Sequence, residues 1–124
     1  MTKTRAIIEN LDPERAHQLI QEREDDSNFV IIDVRTPEEH MEGHLEGAIN
    51  VDYLSPTFAD EIGKLDRNGS YLVYCLVGVR SAYAVEIMTS LGFSEVYNMA
   101  GGIRQWYLDR RPIVRSSQYR HMQK

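Results

Sequence analysis

Two short apolar runs limit what this chain can become. Phe29-Val30-Ile31-Ile32 and Tyr71-Leu72-Val73-Tyr74 show no alternation of apolar and polar residues. As strands they need cover on both faces, which is the situation of a parallel sheet between helices. Each run leads into a helix start. Thr36-Pro37-Glu38-Glu39 has the form of a capping box with proline in the first turn. Ser81 is expected to cap a helix with the apolar face Ala84, Val85, Met88 and Leu91, ended by Gly92.

The remaining segments fit the same alternation. Ala6-Ile7-Ile8 reads as a short strand, and Asp12-Pro13-Glu14 opens a helix whose inner stripe is Ala16, Leu19, Ile20 and the stem of Arg23. Ile49-Asn50-Val51 is a further short strand, Phe58 to Leu65 a weaker helix, and Asp66-Arg67-Asn68-Gly69 a turn. Glu95-Val96-Tyr97-Asn98 makes the last strand, Gly101-Gly102 a tight turn, and Ile103 to Leu108 a closing helix with Trp106 on the core. Strand and helix alternating throughout imply an α/β fold with a mostly parallel sheet and helices on both faces.

With 124 residues, 42% of them hydrophobic and 27% charged, the chain is one globular domain rather than a disordered or two-domain one. We read residues 1–114 as that domain and 115–124, with Arg115, Arg120, Lys124 and no acid, as a basic, solvated tail. A net charge of −5 argues against nucleic acid as a partner. No apolar stretch is long enough for a membrane span or a signal peptide, so no membrane partner is expected. Cys75 is the single cysteine. Forming no internal disulfide, it fits a reducing compartment, and the cytoplasm is the expected location.

A free cysteine is most often a small buried hydrophobe. Cys75, however, ends the Tyr71 to Tyr74 strand, and Leu76-Val77-Gly78-Val79-Arg80 then leads into a helix. A thiol placed there faces unpaired N–H groups and the positive end of the helix dipole, both of which favour the thiolate. Gly78 is free to adopt a backbone angle that a Cβ forbids, allowing the loop amides to curl around an anion. Cys75 is therefore the candidate nucleophile, with Leu76, Val77, Gly78, Val79, Arg80 and Ser81 forming its substrate loop.

Four segments in order, Asp33-Val34-Arg35, Gly43 to Asn50, Cys75 to Ser81 and Gly101 to Trp106, resemble the signature segments of the rhodanese family over roughly residues 6 to 114. That resemblance implies a central five-stranded parallel sheet. It also implies a single-domain sulfurtransferase of the thiosulfate:cyanide type, in which Cys75 takes a sulfur atom from a donor as a persulfide and passes it on. The donor would be a small anionic sulfur compound, such as thiosulfate or polysulfide, or a protein persulfide. The acceptor would be cyanide, a thiol or a protein. No metal or organic cofactor is needed for this chemistry, and a monomer or weak homodimer is expected.

The loop departs from the commonest family form at Leu76, where many thiosulfate-using relatives carry a basic or polar residue. A rim of Leu76, Val77 and Val79 disfavours a small dianion and suits a larger thiol, a polysulfide or a protein persulfide. Arg80, the loop's one cation, is expected to pair with Glu38, Glu39 or Asp33 and so hold the loop's shape. Asp33 and Arg35, at a strand end beside the Cys75 strand, are expected to order the site. His40 and His44 are four residues apart, but Gly43 breaks the helix that a metal pair would need. Two other readings compete. Dual-specificity phosphatases and arsenate reductases also use a Cys-to-Arg loop, with five intervening residues rather than the four found here. A rhodanese-like module that binds a partner or senses sulfur without turnover would likewise keep the fold.

Overall fold

The computed structural model describes residues 6–115. Five strands, β1 (Ile7–Leu11), β2 (Phe29–Asp33), β3 (Ile49–Asn50), β4 (Ser70–Tyr74) and β5 (Glu95–Met99), form one sheet in the order β1-β5-β4-β2-β3. Every neighbouring pair is parallel. Five helices connect or follow them: α1 (Pro13–Glu22), α2 (Pro37–Glu42), α3 (Phe58–Gly63), α4 (Val79–Ser90) and α5 (Gly102–Leu108). The architecture is the expected five-stranded parallel sheet with helices on both faces.

Alternation along the inner strands divides the core into two layers. Ile32, Val73 and Val96 face one side, where they meet Phe58 and Ile62 of α3 and Ala84 and Met88 of α4. Ile31, Leu72 and Tyr97 face the other, against Ala16 and Leu19 of α1 and Ile103 and Trp106 of α5. Between them, β4 has no exposed residue, which is why its sequence shows no alternation. Trp106 is part of the core, as expected, and its indole N–H donates to the Pro112 carbonyl at 2.7 Å.

The helix starts follow their sequence signals in two cases. The Asp12 carboxylate accepts from the Arg15 amide at 2.8 Å at the start of α1, and Thr36 and Glu39 form both bonds of the capping box at α2. The start of α4 differs from expectation. Gly78, in the left-handed region at φ 103°, is its N-cap, and the helix begins at Val79, so Ser81 lies inside the first turn and does not cap it. β1 runs on to Leu11 because Glu9 and Asn10, which break the apolar run, belong to an exposed edge strand. Arg23, placed on the inner stripe of α1, turns its guanidinium to Glu95 at 2.7 Å. Val114 bridges His44 in an antiparallel pair, and the expected tail from residue 116 onward lies outside the described residues.

Candidate active site

Cys75 is the first residue beyond the central strand, and it is 1% exposed. Its sulfur accepts from the Gly78 amide at 3.1 Å and lies 3.3 Å from the Ser81 hydroxyl. Burial pushes the thiol's pKa up. The Ser81 hydroxyl and the amides of Ser81, Gly78 and Val77 outweigh that effect and bring it below the ordinary thiol value. Ser81, expected to act as a cap, instead places its side chain against the Cys75 sulfur.

The loop owes its shape to the following turn. Ile103 donates its amide to the Cys75 carbonyl at 2.9 Å, and Arg104 donates to the Leu76 carbonyl at 3.0 Å. This approach is open only to glycine at position 102, where φ is +61° and a Cβ would collide with the Cys75 and Leu76 carbonyls. The Gly101-Gly102 pair is visible in the sequence as a turn. Its function as the seat of the Cys75 loop is not.

Arg80 is paired with a carboxylate. Its guanidinium forks onto Glu39, with Nη1 to Oε1 at 2.8 Å and Nη2 to Oε2 at 3.0 Å. Of the three carboxylates considered, Glu39 is the partner, and it also accepts from the Thr36 amide at 3.0 Å. The Arg80 hydrogen bonds, aided by Thr36, overcome partial burial and hold the Glu39 pKa down at about 2. One carboxylate therefore ties the start of α2 to the loop around Cys75.

Asp33, fully buried, sits beside Tyr74 in the sheet register. Its Oδ1 accepts from the Arg35 amide and Nε at 2.9 Å each; its Oδ2 accepts from Arg35 Nη2 at 2.8 Å, His40 Nδ1 at 2.9 Å and the Tyr74 hydroxyl at 3.1 Å. Arg35 also donates to the Gly43 carbonyl at 2.6 Å. Burial pushes the Arg35 guanidinium down, and the hydrogen bonds and charge of Asp33 more than restore it. Neither Asp33 nor Arg35 hydrogen-bonds to Cys75 among the described residues. Both order the strand ends around it.

Several members of this cluster have no signal of their own in the sequence. The Tyr74 hydroxyl accepts from the Leu45 amide at 3.0 Å, and burial beside Asp33 raises its pKa far above the ordinary phenol value. Asn50 donates to the Asp33 and Arg35 carbonyls at 3.0 and 2.9 Å. His40 and His44 stack with centroids 3.8 Å apart, and His44 Nδ1 lies 2.8 Å from the His40 carbonyl. Burial lowers the His40 pKa in spite of Asp33. Around the mouth, Leu76, Val77 and Val79 are 41%, 45% and 60% exposed.

A cysteine thiolate held by converging N–H groups at the end of a buried strand can act as a nucleophile, and the same dipoles can hold an anion bonded to it. Comparison with known proteins is consistent with this chemistry. The family model described as Rhodanese-like domain matches residues 13–109. A protein named sulfurtransferase from Allochromatium vinosum is 32% identical over 109 residues, covering 87% of this chain and 96% of that one. The thiosulfate sulfurtransferase GlpE of Stutzerimonas stutzeri is 31% identical over 99 residues, covering 80% of this chain and 84% of its own. Among solved structures, a rhodanese-related protein from Thermoplasma volcanium superimposes with a TM-score of 0.73 at 26% identity, covering 91% of this chain and all of that one.

Proposed function

The chain belongs to the rhodanese-like domain family, and on that premise we propose that it is a sulfurtransferase carrying its sulfur on Cys75. The Cys75 thiolate attacks the sulfane sulfur of a donor, and the donor leaves with the electron pair of its broken bond. The resulting Cys75–S–S⁻ takes a proton from solvent, the Cys75–S–SH so formed is attacked at its outer sulfur by an acceptor, and Cys75 departs as a thiolate. A lowered thiol pKa assists both halves of the cycle. The observation that carries this reading is the pair of polar contacts on Sγ, the Gly78 amide at 3.1 Å and the Ser81 hydroxyl at 3.3 Å.

The rim narrows the donor. Arg80 is neutralised by Glu39, so the hollow offers no free side-chain cation from its own loop to the oxygens of thiosulfate or to a phosphate. Exposed Leu76, Val77 and Val79 suit a polysulfide or the persulfide of another protein. These features support polysulfide over thiosulfate and disfavour phosphatase chemistry. We place the activity in the cytoplasm. The single functional thiol supports this placement, because it fits a reducing milieu.

The test is thiocyanate release with cyanide as acceptor, comparing polysulfide and thiosulfate as donors. Wild-type protein should turn over polysulfide with the higher kcat/KM, and Cys75→Ala should turn over neither. Turnover that survives in folded Cys75→Ala would refute the reading. No turnover by wild-type protein with either donor would leave a non-catalytic binding module.

A further inference from the structure

Beside the Cys75 loop lies a cleft of about 330 Å³ that the cycle proposed above does not use. Leu76, the residue after the nucleophile, forms one wall; Tyr107 and Leu108 of α5, each 60% exposed, form another. Cys75 itself does not line it. The cleft is attached to the loop through the amides of Ile103 and Arg104, which bond to the Cys75 and Leu76 carbonyls.

Charge sets this cleft apart from the rest of the molecule. Its lining holds the bases Arg35, Arg104 and Arg115 against the single acid Glu42, whereas the whole sequence carries 14 bases and 19 acids. Within the cleft, Arg35 is neutralised by Asp33, and Glu42 is the one acidic side chain among the lining residues. Among the described residues, the Arg104 guanidinium has no hydrogen-bond or ion-pair partner of its own. The nucleophile's apolar neighbour thus opens onto a pocket with an apolar floor and an unmatched cation, on an otherwise acidic protein.

We infer that this cleft binds the sulfur acceptor, and that the acceptor is a small organic thiol bearing a carboxylate, which Arg104 holds while the thiol reaches the outer sulfur on Cys75. The inference rests on the sulfurtransferase reading. The acceptor's thiolate forms a new bond to the outer sulfur of Cys75–S–SH. The bond from that sulfur to Sγ breaks, and its electron pair returns to Cys75 as the thiolate. The proton stays on the transferred sulfur, so the acceptor leaves as a persulfide and no outside oxidant or reductant is consumed. The apolar walls take the acceptor's carbon skeleton, and its carboxylate fixes which end points inward.

The experiment loads Cys75 with polysulfide, removes the excess, and follows discharge by intact mass with N-acetylcysteine or its amide, compared at equal thiolate concentration. The two thiols share one skeleton and differ in a charge. Charge reversal by Arg104→Glu should lower the acid-to-amide rate ratio about tenfold. The same reversal at Lys64, an exposed residue at the end of α3, should leave the ratio within about twofold at physiological salt. A fall of less than about threefold in Arg104→Glu, or an equal fall in Lys64→Glu, overturns the assignment. A second readout needs no persulfide: S-methyl-N-acetylcysteine should shift the backbone amide resonances of Arg104, Tyr107 and Leu108 in wild-type protein and not in Arg104→Glu. Absence of those shifts overturns the cleft assignment. Failure of polysulfide to load Cys75 counts instead against the sulfurtransferase reading.

Discussion

Replacing Glu39 by Gln removes one negative charge and keeps the side chain's shape, including an oxygen able to accept from the Thr36 amide. It therefore separates the ion pair to Arg80 from the helix cap. In the wild-type protein the carboxyl pKa is held at about 2, against about 4.3 in an unfolded chain. Linkage equates that difference with about 3 kcal/mol at neutral pH. The paired side chains are 24% and 28% exposed, and solvent screening reduces the figure to about 1.5–2 kcal/mol. Because the folded pKa is depressed, the stabilisation is complete above about pH 4.3 and disappears as the pH falls through about 2, with about half remaining at pH 3. Glu39→Gln should therefore lower the melting temperature by about 6–8 °C at pH 7 and by about half as much at pH 3. A double-mutant cycle with Arg80→Met, read by urea unfolding, should give a coupling of about 1–2 kcal/mol. A coupling below about 0.3 kcal/mol, or a destabilisation undiminished at pH 3, would refute the idea that this pair fastens the loop to α2.

Three further substitutions probe the loop itself. Ser81→Ala removes the hydroxyl beside the sulfur, so the alkylation midpoint of Cys75 should move up toward the ordinary thiol value and iodoacetamide should react more slowly at neutral pH; an unmoved midpoint would contradict the assignment of Ser81. Gly102→Ala drives a Cβ into the Cys75 and Leu76 carbonyls and should cost more than about 3 kcal/mol or prevent folding, whereas a thermal melt matching wild type would show that the turn yields easily. Leu76→Arg places a free cation at the mouth and should raise kcat/KM for thiosulfate about tenfold; unchanged kinetics in folded protein would remove the rim as the basis of donor choice.

The parts of the fold that are legible in the sequence are those written in local patterns. The unbroken apolar runs mark β2 and β4 as inner strands, and Thr36 with Glu39 marks the start of α2. The position of Cys75 between strand and helix marks it as the nucleophile candidate. What could not be read depends on partners distant in the chain. Nothing local distinguishes Glu38 from Glu39 as the partner of Arg80, forty-one residues from Glu39. The hydroxyl of Tyr74 reaches Asp33 and Leu45, yet the residue reads simply as strand. Ser81 has the chemistry of a cap, but a left-handed Gly78 caps the helix three residues earlier, and the hydroxyl lies against the sulfur. The cleft against α5 exists only because Gly102 lets that helix approach the loop, a long-range contact that a two-glycine turn does not announce.

The most direct test of the account is the intact mass of wild-type protein and Cys75→Ala after exposure to polysulfide, before and after cyanide. The account predicts that wild-type protein gains the mass of one sulfur atom, that cyanide removes it as thiocyanate, and that folded Cys75→Ala gains nothing. A cyanide-labile sulfur on folded Cys75→Ala, or no gain by reduced, folded wild-type protein, would contradict it.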